Sequence, residues 1–145
     1  MKRLLYICLV AGALVAAGCR RTLPVAPPYE GLAGTYSYTA YDSSGIAVVS
    51  GWLELAPKDS VQFTGEWHFK EVAKSHPVGP QIGDGELIGG IDGDAMWISL
   101  NPQWRDNNVF LHGTLEGTTY SGQWVWSTFA GPTTGGEFTA MKKSE

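Results

Sequence analysis

Val61-Gln62-Phe63-Thr64-Gly65-Glu66-Trp67-His68-Phe69-Lys70 decides the fold. Val61, Phe63, Gly65, Trp67 and Phe69 fall on one side of an extended chain. Gln62, Thr64, Glu66, His68 and Lys70 fall on the other. Successive side chains of a strand point to opposite faces, so this stretch is a strand with one apolar and one wet face. That pattern belongs to antiparallel sheet. Tyr120–Thr128 repeats it, setting Tyr120, Gly122, Trp124 and Trp126 against Ser121, Gln123, Val125 and Ser127.

Outward from these two, the same alternation and its bounding turn residues predict six more strands. The full set is Gly34–Tyr41, Ile46–Leu55, Val61–Lys70, Gly85–Ile91, Ala95–Leu100, Val109–Glu116, Tyr120–Thr128 and Gly136–Lys142. No stretch sustains a helical repeat. Glycine followed two residues later by a large apolar residue recurs as Gly34-x-Tyr36, Gly51-x-Leu53, Gly65-x-Trp67, Gly89-x-Ile91, Gly113-x-Leu115, Gly122-x-Trp124 and Gly136-x-Phe138. The spacing is too uneven for a solenoid. Strongly coiled strands use inward glycine to relieve crowding, and neighbouring aromatics fill the space. The fold expected is therefore all-β, an eight-stranded antiparallel up-and-down barrel over residues 31–145.

Gly34-Thr35-Tyr36, Ser121-Gly122-Gln123-Trp124 and Gly136-Glu137-Phe138-Thr139-Ala140 make the domain resemble the calycin-like meander barrels, the lipocalins, fatty-acid-binding proteins and avidins. The resemblance implies the architecture. It implies no biotin site, because Ser37-Tyr38-Thr39 stand where polar biotin contacts, including an asparagine, would follow the first strand.

Connection lengths then distinguish the two ends. Ala56–Ser60, Asp92–Asp94 and Gly117–Thr119 are short, whereas Glu71–Asp84, Asn101–Asn108 and Phe129–Gly135 are long. Alternate connections of a meander share an end, so the long loops share one rim with the turn Asp42–Gly45. Both termini lie at the other. Trp104 and Arg105 fall in a long loop, and these residue types are enriched where proteins bind partners. Trp67, Phe69, Trp97, Trp124, Trp126 and Phe138 are expected inside, lining a pocket or filling the lumen. An eight-stranded interior is just wide enough for side chains or one small ligand.

The amino terminus reads as an address. Lys2 and Arg3 precede an apolar run, Leu4 to Ala17, which ends in Gly18-Cys19. The run is shorter than the roughly 20 residues of a membrane span, and the order of regions is that of a signal peptide. It resembles a bacterial lipoprotein signal, with Ala16 where that family usually has leucine. The resemblance implies removal of residues 1–18 and lipidation of Cys19, hence a membrane partner through the anchor. Residues 19–30 form a proline-rich tether. Arg20 rather than Asp after the cysteine implies the periplasmic side of the outer membrane over the inner membrane. Cys8 leaves with the signal and Cys19 carries the lipid, so the mature chain has no cysteine pair for a disulfide.

Loss of Lys2 and Arg3 takes the formal charge from −4 to −6. Scattered acidic charge gives nucleic acid no footprint. His68, His76 and His112 stand apart with no cysteine to join them, so no metal site is expected. Asp92-Gly93 reads as a hairpin turn rather than a calcium loop. There is no Gly-x-Ser-x-Gly elbow and no phosphate-binding glycine loop. Glu54, Glu66 and Glu116 face outward, away from any cleft. The chain is thus expected to be non-enzymatic and without cofactor. The first expectation for its function is a small apolar or amphipathic ligand held at the long-loop rim by Trp104, Arg105, Trp67, Trp97, Trp124 and Trp126. The alternative is a filled barrel whose loops grip another envelope protein.

Overall fold

The computed structural model describes residues 31–144; the expected signal peptide, Cys19 and the expected tether lie outside the described residues. Eight strands run in chain order: β1 Gly34–Tyr41, β2 Ala47–Pro57, β3 Gln62–Glu71, β4 Gly83–Asp92, β5 Ala95–Ser99, β6 Asn107–Glu116, β7 Thr119–Thr128 and β8 Gly131–Lys142. Each pairs antiparallel with the next. β8 returns to β1 from Tyr36↔Lys142 to Ala40↔Phe138 and closes the barrel. The all-β, eight-stranded up-and-down fold expected from the alternation is the fold observed.

The inward glycines have the predicted cause. A Cβ on Gly65 would overlap the carbonyl of Glu54 on β2, and one on Gly122 would overlap that of His112 on β6. Neighbouring backbones therefore approach too closely for any side chain there, and the strands coil around a narrow lumen.

That lumen is filled. Trp67, Phe69, Tyr38, Phe138 and Tyr120 form a continuous series of aromatic contacts, with centroid separations of 5.1, 4.1, 5.9 and 4.8 Å. Such ring pairs add to the stabilisation from burial itself. Leu53, Leu55, Phe63, Leu87, Met96, Ile98 and Leu111 complete the core. Tyr120 Oη donates to the carbonyls of Leu111 (3.0 Å) and Met96 (3.2 Å). Its burial, like that of Tyr38, holds the phenol neutral and pushes its pKa well up.

Two expectations are corrected. Trp97 lies on the outer wall, 36% exposed, while Met96 and Ile98 point inward. Its indole covers Gly90 across the β4–β5 pair, where a Cβ would stand 2.7 Å from Trp97 Nε1. The aromatic ring shields a bare glycine from outside rather than filling the lumen. The long connection expected at Phe129–Gly135 is also absent: β8 begins at Gly131, and residues 129–130 alone join it to β7. Pro132 pairs with Ser127 on a strand edge, a position that proline tolerates.

Candidate functional site

The rim expected to carry long loops bears the 42–46 turn, the 72–82 loop, the 100–106 loop and the 129–130 turn. The 72–82 loop folds across the barrel mouth as a plug. Gln81 is completely buried and Val78 nearly so. Gln81 Nε2 donates to Val78 O at 2.8 Å, and Tyr38 Oη donates to Gln81 Oε1 at 3.3 Å. Both ends of the buried amide are thereby satisfied, which avoids the penalty of an unpaired polar group.

Asp42 latches the plug from the β1–β2 turn. Its carboxylate is buried and accepts from Ser75 Oγ (2.7 Å) and the backbone N–H groups of Ser44 (2.9 Å) and Ile46 (3.0 Å). His76 Nδ1 lies 3.2 Å away on the plug. The Ser75 hydroxyl and the Ile46 N–H, followed by Ser44, hold the carboxyl well below the usual aspartate range. Gly79, with a φ of 67°, lies against the indole of Trp126, leaving no room for a Cβ. Asn101 Nδ2 donates to Pro80 O at 2.9 Å, and its own backbone N–H donates to Asn108 Oδ1 at 2.9 Å. The two longer loops are thus tied together across the mouth.

The six sequence-predicted rim residues separate into four places. Trp67 and Trp124 are buried and anchor the rim from below: their Nε1 groups donate to Leu100 O (2.7 Å) and Tyr41 O (2.8 Å). Trp126 is partly buried beneath Gly79 and donates to Asn107 Oδ1 at 2.7 Å. Trp104 and Arg105 are exposed on the 100–106 loop, Trp104 by 54%. Trp97 sits away from the rim on the outer wall. Only Trp104 and Arg105, therefore, stand free at the rim.

Sequence reasoning did not pick out their neighbours. Phe129 is 88% exposed at the tip of the β7–β8 turn, and Ile46, Val72 and Ile82 are also exposed at this end. Every connection at this rim therefore presents a large apolar side chain to solvent. At the opposite rim Val61 is exposed, as is Met141 near the end of β8. Large contiguous apolar patches mark interaction sites, whereas single exposed residues need no explanation. Lys74 and Arg105 alternate with Glu71, Asp84 and Asp106 around the crown, so no field of one sign dominates it. Among the described residues, no three His, Cys, Asp or Glu side chains converge as a metal site would require.

No family model and no curated protein matches the chain. Among solved structures the chain is similar to a redesigned beta barrel, 16% identical, covering 79% of this chain and 92% of that one at a TM-score of 0.44.

Proposed function

We propose that the chain is a non-enzymatic interaction module of a bacterial cell envelope, tethered through a lipid on Cys19 and gripping a partner protein with its apolar crown. One observation carries this reading: the lumen is filled and plugged, yet all four connections at one rim expose large apolar side chains. Trp104, Arg105 and Phe129 supply the residue types that dominate binding energy at protein interfaces. β1 starts and β8 ends at the other rim, where Lys142 Nζ donates to Gly31 O at 2.7 Å. A tether leaving there directs the crown away from the lipid, towards the periplasm if the anchor lies in the outer membrane.

Crosslinking in cells tests the proposal. The native chain is expected to give a discrete adduct that Trp104→Ala with Phe129→Ser abolishes and that Arg105→Ala weakens. An adduct pattern indifferent to all three substitutions overturns it.

A small apolar ligand at the same rim is the second reading. It is favoured by a cleft of about 240 Å³ between Pro80, Ile82, Asn101 and Trp104. That volume lies below the roughly 300–1,000 Å³ usual for ligand pockets. A stoichiometric small molecule released on denaturation in native mass spectrometry would establish it over the first.

A further inference from the structure

We propose that the open edge of β8 beside the β1–β2 turn takes an extended peptide segment of the partner as an added strand. The inference deepens the interaction-module reading and rests on it for the partner's being a protein. Its basis is a place where the barrel wall is incomplete. The β1–β8 ladder ends at Ala40↔Phe138, but β8 continues back to Gly131 paired with β7 alone, through Gly135↔Val125, Thr134↔Trp126 and Gly131↔Thr128.

The local cause is visible. An irregularity between Ala40 and Tyr41 turns the end of β1 inward, and Tyr41 O accepts the indole N–H of Trp124 above Gly136. Past that point β8 has no strand on its β1 side. Lys142 N donates towards β7, to Thr118 O, and Lys143 N donates towards β1, to Thr35 O. Alternation along a strand then directs the N–H and C=O of Gly135 towards the side that β1 has vacated. The facing 42–46 turn closes its backbone bonds on itself, Asp42 N to Ile46 O and Gly45 N to Asp42 O, and gives none to Gly135.

Between the turn and the strand lies a groove of about 620 Å³, bordered by Asp42–Gly45 on one side and Val125, Gly135, Gly136 and Glu137 on the other. The side-chain position of Gly136 is taken by Tyr41 O, and that of Gly135 lies against Trp124 O. Neither glycine therefore sets a side chain between the groove and the Gly135 backbone groups; a paired strand would lie roughly 4.8 Å away. Unpaired strand edges recruit extended chains, with main-chain hydrogen bonds for affinity and flanking pockets for specificity. Ile46 and Phe129 are exposed on the β1–β2 and β7–β8 turns, at the same end of the barrel as the groove. Pro132 and the β7–β8 irregularity near it limit the usable edge to a few residues.

These features select the occupant. The 42–45 turn stands across the groove from this edge, which leaves the width of a single chain rather than of a second barrel wall. The chain's residues 1–30 join at the opposite rim, and Pro24, Pro27 and Pro28 lack donors. A slender extended segment fits, its main chain meeting the N–H and C=O of Gly135.

Titration of the ¹⁵N-labelled full mature chain tests the edge with a defined probe, an end-capped octapeptide alternating threonine and valine. The control is the same peptide N-methylated at alternate residues, which cannot donate along that edge. Amide shifts confined to Gly135, Glu137 and residues 43–45 are expected, with the control at least about tenfold weaker through its lost main-chain hydrogen bonds. Absence of shifts at roughly 1 mM probe, the weak end of measurable affinities, overturns the proposal. So do shifts centred elsewhere, or equal binding of the control. If the rim adducts persist while the probe fails, the edge is refuted and the module reading stands.

Discussion

The two rims of this barrel are closed by different physics. At the short-turn rim the chain reverses in a few residues, and local geometry does the work. Gly93 and Gly117 take φ values of 61° and 60°, and Asp59 accepts the N–H groups of Val61 and Gln62, each at 2.8 Å. At the long-loop rim, closure depends on side chains far apart in sequence: Asp42 with Ser75, Tyr38 with Gln81, and Trp124 with Tyr41. Every connection of the second rim exposes a large apolar side chain, against Val61 and Met141 at the first. Sealing the lumen and displaying apolar surface are thus separate jobs given to the same loops, and that separation is what a dedicated interaction end requires.

The largest expected effect is on the long-range side of the comparison. Trp124→Ala removes a fully buried indole and its bond to Tyr41, and should cost about 3–5 kcal/mol in urea unfolding. A loss similar to that of a surface change would mean that the rim is not held from below. Asp42→Ala ranks next, because it frees the plug at Ser75 together with the turn at Ser44 and Ile46. Since the folded carboxyl has a lowered pKa, its stabilisation is fully present above the ordinary aspartate value of about 3.9 and is lost progressively as pH falls from there through the lower folded value. Native chain and variant should therefore differ most in urea midpoint at pH 6, with the difference narrowing steadily between about pH 4 and pH 2. A difference constant with pH would contradict the latch. Gly117→Ala probes the local side and should cost about 1–2 kcal/mol, the penalty of a left-handed backbone for an alanine. Phe129→Ser should leave stability within about 0.5 kcal/mol, as for surface changes generally, while removing the partner adduct.

Much of this comparison was legible in the sequence. Period-two alternation gave the strand count, the order and most inward faces, because a filled barrel punishes any slip in register. Loop parity placed the termini and Trp104 at opposite ends. Trp97 was misplaced because ring size outweighed pattern: Met96, Ile98 and Leu100 already alternate as an inward set, and heeding that would have put the indole outside. Gly131-Pro132-Thr133-Thr134-Gly135 reads as a loop by composition, yet it pairs with β7, whose strand continues beside it. That misreading hid both the tight turn displaying Phe129 and the open edge of β8. Asp42 and Gln81 bond locally to Ser44, Ile46 and Val78, but their latching partners, Ser75 and Tyr38, lie 33 and 43 residues away and leave no local signal.

Photo-crosslinking from one position on each rim, Phe129 and Thr118, tests the central claim most directly. Each is replaced in turn by a photoreactive phenylalanine in the full-length chain in its own cells. The account predicts a single protein adduct from position 129 and none from position 118. Equal adducts from both, or an adduct from position 118 alone, would contradict it.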